Sequence, residues 1–253
     1  MKILNGDVMA KKKRRLKKSV KLILIVVLAF VLMLGLFVMM QIKPSSSNQP
    51  DEPVLPSDHA TVSDQVSYDE GIGHGLKLLD TGNYAGIYME DGSDEIVSNV
   101  MMVIVQNTNG TDLQYAKIVL TTEDGNEYVF TVSNLPAGAK VVLLEQNRQP
   151  MPEGKVTATV ENAAMFDTPM SLCADRIQVS GLDGAMNVRN ISNSDITEDI
   201  YVYYKYSATD LFYGGITFRV KVEGGLKAGE VRQIMTNHYS ATGSLVTMVT
   251  CGD

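Results

Sequence analysis

Ile216-Thr217-Phe218-Arg219-Val220-Lys221-Val222 puts an apolar side chain at every second position, with Thr217, Arg219 and Lys221 between them. A period of two is that of a strand, so the stretch predicts a sheet with one apolar and one solvated face. Tyr128, Phe130 and Val132 alternate with Val129, Thr131 and Ser133 in the same way. Val97 to Asn107 is a continuous run rich in Val, Ile and Met, as expected of a buried strand. Short runs of this kind, separated by turn residues, continue from about Tyr84 onward and predict an all-β fold of the sandwich class. Apolar sequence of helical length occurs only near the amino terminus.

There, Leu22 to Met40 contains no polar side chain. A helix over these residues rises roughly 28 Å, close to the bilayer hydrocarbon thickness. Lys2, Lys11, Lys12, Lys13, Arg14, Arg15, Lys17, Lys18 and Lys21 precede the run, and only Lys43 follows it closely. This asymmetry predicts a single-pass anchor over residues 22–42 in the cell membrane, with a basic tail (1–21) in the cytoplasm and the rest extracytoplasmic. Phe37-Val38-Met39-Met40-Gln41-Ile42-Lys43-Pro44 offers no small-residue cleavage pattern, so the expectation is an uncleaved signal anchor. Membrane lipid is then one partner, and each basic tail residue gains about 1 kcal/mol against an anionic leaflet. Residues 43–67 hold Pro44, Pro50, Pro53 and Pro56 with a serine run, which predicts a disordered, partly extended stalk.

The chain has 22 Lys and Arg against 29 Asp and Glu. Nine of the basic residues and only Asp7 of the acidic ones lie within residues 1–21, leaving 13 against 28, a balance of about −15. Nucleic acid is therefore not an expected partner, because phosphate binding needs a basic face.

Two stretches beyond the stalk resemble each other. Val105-Gln106-Asn107-Thr108-Asn109 matches Val188-Arg189-Asn190-Ile191-Ser192, and Leu135-Pro136-Ala137-Gly138 matches Leu226-Lys227-Ala228-Gly229. Both copies run in the same order: a strand ending in Asn, a polar turn, two strands, a Leu-x-Ala-Gly turn and a final strand. The duplication predicts two β-sandwich domains, at residues 68–160 and 161–253. This order resembles the FxLYD-like and related immunoglobulin-like modules of membrane-anchored bacterial surface proteins, although the motif that names that family is not matched at Lys117–Gly125 or Tyr203–Tyr206. The resemblance implies tandem immunoglobulin-like sandwiches without catalytic residues.

The residues that could carry chemistry are few. His59, His74 and His238 stand apart from one another and from the cysteines, so no metal site and no cofactor is expected. Gly71-Ile72-Gly73-His74-Gly75 lacks the Lys-Ser or Lys-Thr of a phosphate loop and is expected to be a flexible join. Glu90-Asp91-Gly92-Ser93-Asp94-Glu95 bunches carboxylates without calcium-loop spacing and is expected to be a solvated turn. Tyr201-Val202-Tyr203-Tyr204-Lys205-Tyr206 is more informative. Strand alternation puts Ile200, Val202 and Tyr204 on one face and Tyr201, Tyr203 and Lys205 on the other, a candidate partner surface. Cys173 and Cys251 are the only cysteines and form a candidate disulfide; two unpaired thiols are the alternative.

These features together predict a non-enzymatic membrane-anchored protein with a binding or scaffold role at the bacterial cell envelope, its partner a protein or cell-wall component. A carbohydrate-binding module, and an enzyme with a loop-borne metal or carboxylate site, are the alternatives.

Overall fold

The computed structural model describes residues 60–251. The expected tail, anchor and most of the expected stalk, with His59, lie outside the described residues. Among the described residues the fold is all-β, without a helix, and no helix is long and apolar enough to cross a membrane.

The first half contributes β1 (Thr61–Gly73), β2 (Leu76–Ile87), β3 (Ile96–Asn107), β4 (Leu113–Thr122), β5 (Glu127–Leu135), β6 (Lys140–Leu144) and β7 (Val156–Met165). The second contributes β8 (Ile177–Leu182), β9 (Ala185–Asn190), β10 (Ile200–Ala208), β11 (Leu211–Val222), β12 (Val231–Met235) and β13 (Ser244–Cys251). They form a seven-stranded sheet, β1-β2-β3-β6-β11-β10-β13, and two three-stranded sheets, β5-β4-β7 and β12-β9-β8. In each half, one part of the long sheet faces a short sheet across an apolar core, an arrangement consistent with a β-sandwich.

The alternation explains the layers. Tyr128, Phe130 and Val132 of β5 turn into the first core with Ile118 and Leu120 of β4 and Met101, Val103 and Val105 of β3. Val220 and Val222 of β11 enter the second core with Ile200, Val202 and Tyr204 of β10 and Met186 and Val188 of β9. Each such buried side chain contributes about 1.5–3 kcal/mol by leaving water. On the opposite face of β3, Val100 and Met102 pack with Tyr84, Tyr88, Met89, Val142 and Leu144 in a third cluster.

Each half carries the same asparagine at the same place. Asn107 donates its side-chain amide to Thr111 O at 3.0 Å and Leu135 O at 3.2 Å, and its Oδ1 accepts from the Asn109 N–H at 3.1 Å. Asn190 donates to Ser194 O at 2.8 Å and Leu226 O at 3.1 Å, and its Oδ1 accepts from the Ser192 N–H at 2.9 Å. An aspartate completes each turn: Asp112 accepts the Ala137 N–H at 2.9 Å and Asp195 the Ala228 N–H at 2.8 Å. The sequence match therefore marks a buried polar lock that ties the end of one strand to the Leu-x-Ala-Gly turn.

Two boundaries differ from the sequence expectation. Residues 61–67, expected to be stalk, form part of β1, and Gly73-His74-Gly75 is the turn of the β1–β2 hairpin rather than a join. A strand so rich in Asp, Ser and Gln reads as loop because it lies at a sheet edge and is exposed along most of its length. Strand β7 crosses the expected boundary at residue 160 and pairs with β4, so the first half extends to Met165.

The two halves share one sheet. Leu211, Phe212 and Tyr213 of β11 run parallel to Lys140, Val141 and Val142 of β6, and Phe212 sits in the first core.

Candidate functional site

At this junction, β11 leaves the ladder. It pairs with β10 at Tyr204↔Phe218 and again at Tyr206↔Tyr213, so Lys205 on one strand and residues 214–217 on the other are skipped. The chain can make this detour because Gly214 adopts φ 84°, and because a Cβ at Gly215 would overlap the Thr131 carbonyl oxygen of β5. The skipped carbonyls still need donors. Lys205 provides them: its Nζ donates to Ile216 O at 2.7 Å, Gly215 O at 3.0 Å and Ser133 O at 3.1 Å, with the Thr217 hydroxyl at 3.4 Å. Three carbonyls facing one nitrogen match an ammonium, which has three N–H donors and no lone pair.

Lys205 was expected beside the tyrosines on the displayed face, and the structure corrects this placement, for Lys205 is 0% exposed. The bulge shifts the side-chain alternation, so that Tyr204, Lys205 and Tyr206 are all buried. Near Lys205, the Glu90 carboxylate accepts the Leu144 N–H at 2.8 Å through Oε1 and the Gly215 N–H at 2.8 Å through Oε2. Burial pushes the Glu90 carboxyl up, against its backbone hydrogen bonds and the lysine charge. Burial pulls the Lys205 ammonium down, against the pull of Glu90. These opposed charges sit between strands of both halves.

The other two residues of the candidate surface do share a face. Tyr201 lies opposite Lys221 and Thr250, and Tyr203 opposite Arg219 and Met248. Both tyrosines are half-buried, and the Arg219 guanidinium stands 5.0 Å from the centroid of the Tyr201 ring. The result is an aromatic and cationic patch on the open face of the long sheet, in a chain of net negative charge. Lys221 there pairs with Asp199 at 2.7 Å.

The acidic loop is taken up internally. Arg148 binds Asp91 at 3.0 Å and Glu95 at 2.7 Å, Asp94 lies 3.4 Å from His238 Nδ1, and Glu90 turns into the junction. Among the described residues, no group of three His, Cys, Asp or Glu side chains is arranged to hold a metal ion. Thr122–Asn126 forms the β4–β5 hairpin turn, closed by Thr122 and Asn126.

The cysteines come together at the far end of the second half. Cys251, in β13 opposite Ile200, is buried in the second core; Cys173, in the segment before β8, is half-buried and packs against that same core. Burial first, and the Cys173 thiol second, push the Cys251 thiol up to about 12.

Sequence reasoning missed Glu90 as a junction residue and Gly215 as a contact point. Glu90 is hidden among four carboxylates, although it directly follows the apolar pair Tyr88-Met89. The double glycine Gly214-Gly215 inside an otherwise alternating strand was the available signal of a bulge or a close backbone approach. No family model, curated protein or solved structure matches the chain.

Proposed function

We propose that the chain is a non-catalytic, single-pass, membrane-anchored protein whose two tandem immunoglobulin-like β-sandwiches present a binding or scaffold surface outside the membrane at the cell envelope. The amino-terminal sequence supports the anchor and its orientation: an apolar run of bilayer length preceded by nine basic residues. One observation carries the binding role, the patch of Tyr201, Tyr203 and Arg219 on an open sheet face. Half-exposed aromatics beside an arginine are the residue types that anchor protein partners, because they bury large area with few rotors to freeze. The patch sits on strands fixed to the first half through the shared sheet, which suits a spacer that holds a contact surface at a set position.

The same tyrosines favour a second reading, a carbohydrate-binding surface, since tyrosine rings stack on sugar faces. Both readings are tested at one place. A photo-crosslinking residue at Thr250, beside Tyr201 in the sheet, should capture a discrete envelope neighbour in intact cells, and Tyr201→Ala with Tyr203→Ala should abolish the capture. Glycan-array binding lost in the same double variant would select the carbohydrate reading. Unchanged capture in the double variant would sink the role assigned to this face. Protease added to protoplasts should remove residues 60–251 and spare a membrane-held fragment; complete protection would overturn the orientation.

A further inference from the structure

We propose that Cys173 and Cys251 are a disulfide-forming pair, closed by thiol–disulfide exchange, that staples the segment leading into β8 onto the last strand. Cys251 is a ladder residue of β13, paired with Ile200 and packed in the second core.

The backbone on both sides is already held. Ser171 O accepts the Val249 N–H at 2.7 Å, and the Arg176 guanidinium donates to Cys251 O at 3.0 Å. Cys173 is turned inward by a positive φ of 46°, and its carbonyl accepts from the N–H groups of Arg176 at 2.9 Å and Ile177 at 2.7 Å. Its thiol donates to Val249 O at 3.2 Å, two residues from Cys251. Cys173 packs against the core cluster that contains Cys251, and both segments are already tied by hydrogen bonds, so closing a bond between them orders little further chain. Access is one-sided. Both cysteines line an open groove of about 600 Å³ that also includes Phe166, Met170 and Met248, but Cys173 is half-exposed and Cys251 only 7% exposed.

That asymmetry orders the chemistry. The Cys173 thiolate attacks a sulfur of a small disulfide donor, forming a mixed disulfide and releasing one donor thiolate, which takes up a proton. Cys251 then attacks the Cys173 sulfur, gives its proton to solvent and expels the second donor thiol. The two protein thiols are oxidised to one disulfide, and the donor disulfide is reduced to two thiols. Cys251 goes second because burial keeps it protonated until the mixed disulfide stands against it. The pairing follows from the fold alone; whether cells keep it closed rests on the extracytoplasmic placement proposed above.

The test uses the full chain in detergent, reduced, freed of reductant and then incubated with excess oxidised glutathione. Acid quenching, alkylation and peptide mass spectrometry should show loss of both alkylatable thiols and a linked Cys173–Cys251 peptide pair. Cys251→Ser should stop at a glutathione adduct on Cys173, and Cys173→Ser should leave Cys251 unmodified in the folded chain. A wild-type chain that retains both thiols, or ends as the Cys173 adduct, would overturn the pairing. Acid-trapped cells provide the separate arm: closure by glutathione in detergent, with both thiols free in cells, would support the pair and refute the extracytoplasmic placement.

Discussion

Replacing Lys205 by Met keeps the length and apolar stem of the side chain and removes only the ammonium. Of its acceptors, Ser133 O keeps the Thr217 hydroxyl at 3.1 Å and Gly215 O keeps the Ser133 hydroxyl at 3.1 Å. Ile216 O keeps no ladder partner, because it lies in the skipped part of β11. One orphaned buried carbonyl costs about 1–3 kcal/mol. Glu90 loses a neighbouring positive charge as well, which adds to that loss. We expect Lys205→Met to lose about 3 kcal/mol in urea unfolding of a fragment beginning at Ala60, and the double variant with Glu90→Gln to recover part of that loss. The pH dependence gives an independent check. The folded pKa of Glu90 lies above its unfolded value, so its contribution is full below the ordinary carboxylate range and is lost as pH rises through the raised value. That of Lys205 lies below its unfolded value, so its contribution is full above the ordinary lysine range and is lost as pH falls through the lowered value. The wild-type chain therefore passes through a stability minimum between those two ranges that the double variant lacks, and the deficit of Lys205→Met, flat while Glu90 stays protonated, grows as pH rises past about 7. A loss below about 1 kcal/mol, or a deficit that shrinks with rising pH, would refute the buried-ammonium account.

Asn107→Ala and Asn190→Ala each take the side-chain donor from one buried carbonyl, Leu135 O or Leu226 O, and from one carbonyl of an exposed residue, so each should cost about 1–3 kcal/mol, and the two losses should add because the sites lie in different halves. Thermal scans of the single and double variants check this, and an asparagine that can be removed freely would contradict the lock. Gly215→Ala drives a methyl into the Thr131 carbonyl and should cost about 3 kcal/mol or more, whereas Gly110→Ala, where a Cβ meets nothing, should stay within about 0.5 kcal/mol in the same urea titration. Once formed, the Cys173–Cys251 bridge should add about 4 to 5 kcal/mol on the chain-entropy estimate, less any strain, read as a drop in the unfolding midpoint on reduction.

The strand content was legible because buried and exposed positions of β5 follow the period of two, Tyr128, Phe130 and Val132 inward and Val129, Thr131 and Ser133 outward. The duplicated asparagine turn was legible because the buried amide and its carbonyl partners recur within short, fixed segments. What failed was any inference that crossed a bulge. The alternation that places Tyr201 and Tyr203 outward holds until the ladder skips Lys205, and from there every face assignment shifts. Strand β1 was illegible for the opposite reason: an exposed edge strand needs no apolar pattern, so Asp64, Gln65, Ser67 and Asp69 gave no strand signal.

The junction itself had no local signature, because its parts are far apart in sequence and weak alone. Three parallel residue pairs between β6 and β11 are too short a contact to hold two halves together unaided, since parallel pairing is slightly the weaker kind. Phe212 adds apolar burial in the first core, Ser133 and Thr217 share a hydrogen bond at 2.9 Å, and Lys205 reaches from β10 to the Ser133 carbonyl of β5. A lysine in that position specifies geometry more than it stabilises. An apolar side chain would leave Ile216 O without its donor and Gly215 O with the Ser133 hydroxyl alone, which favours the register that presents both to the ammonium. Glu90 then selects the same register from the other side, by accepting the Gly215 N–H of that same bulge. The bulge in β11 is thus held at both its carbonyls and its amide by charged groups, one from each half, and this arrangement fixes the β10 face bearing Tyr201 and Tyr203 relative to the first half.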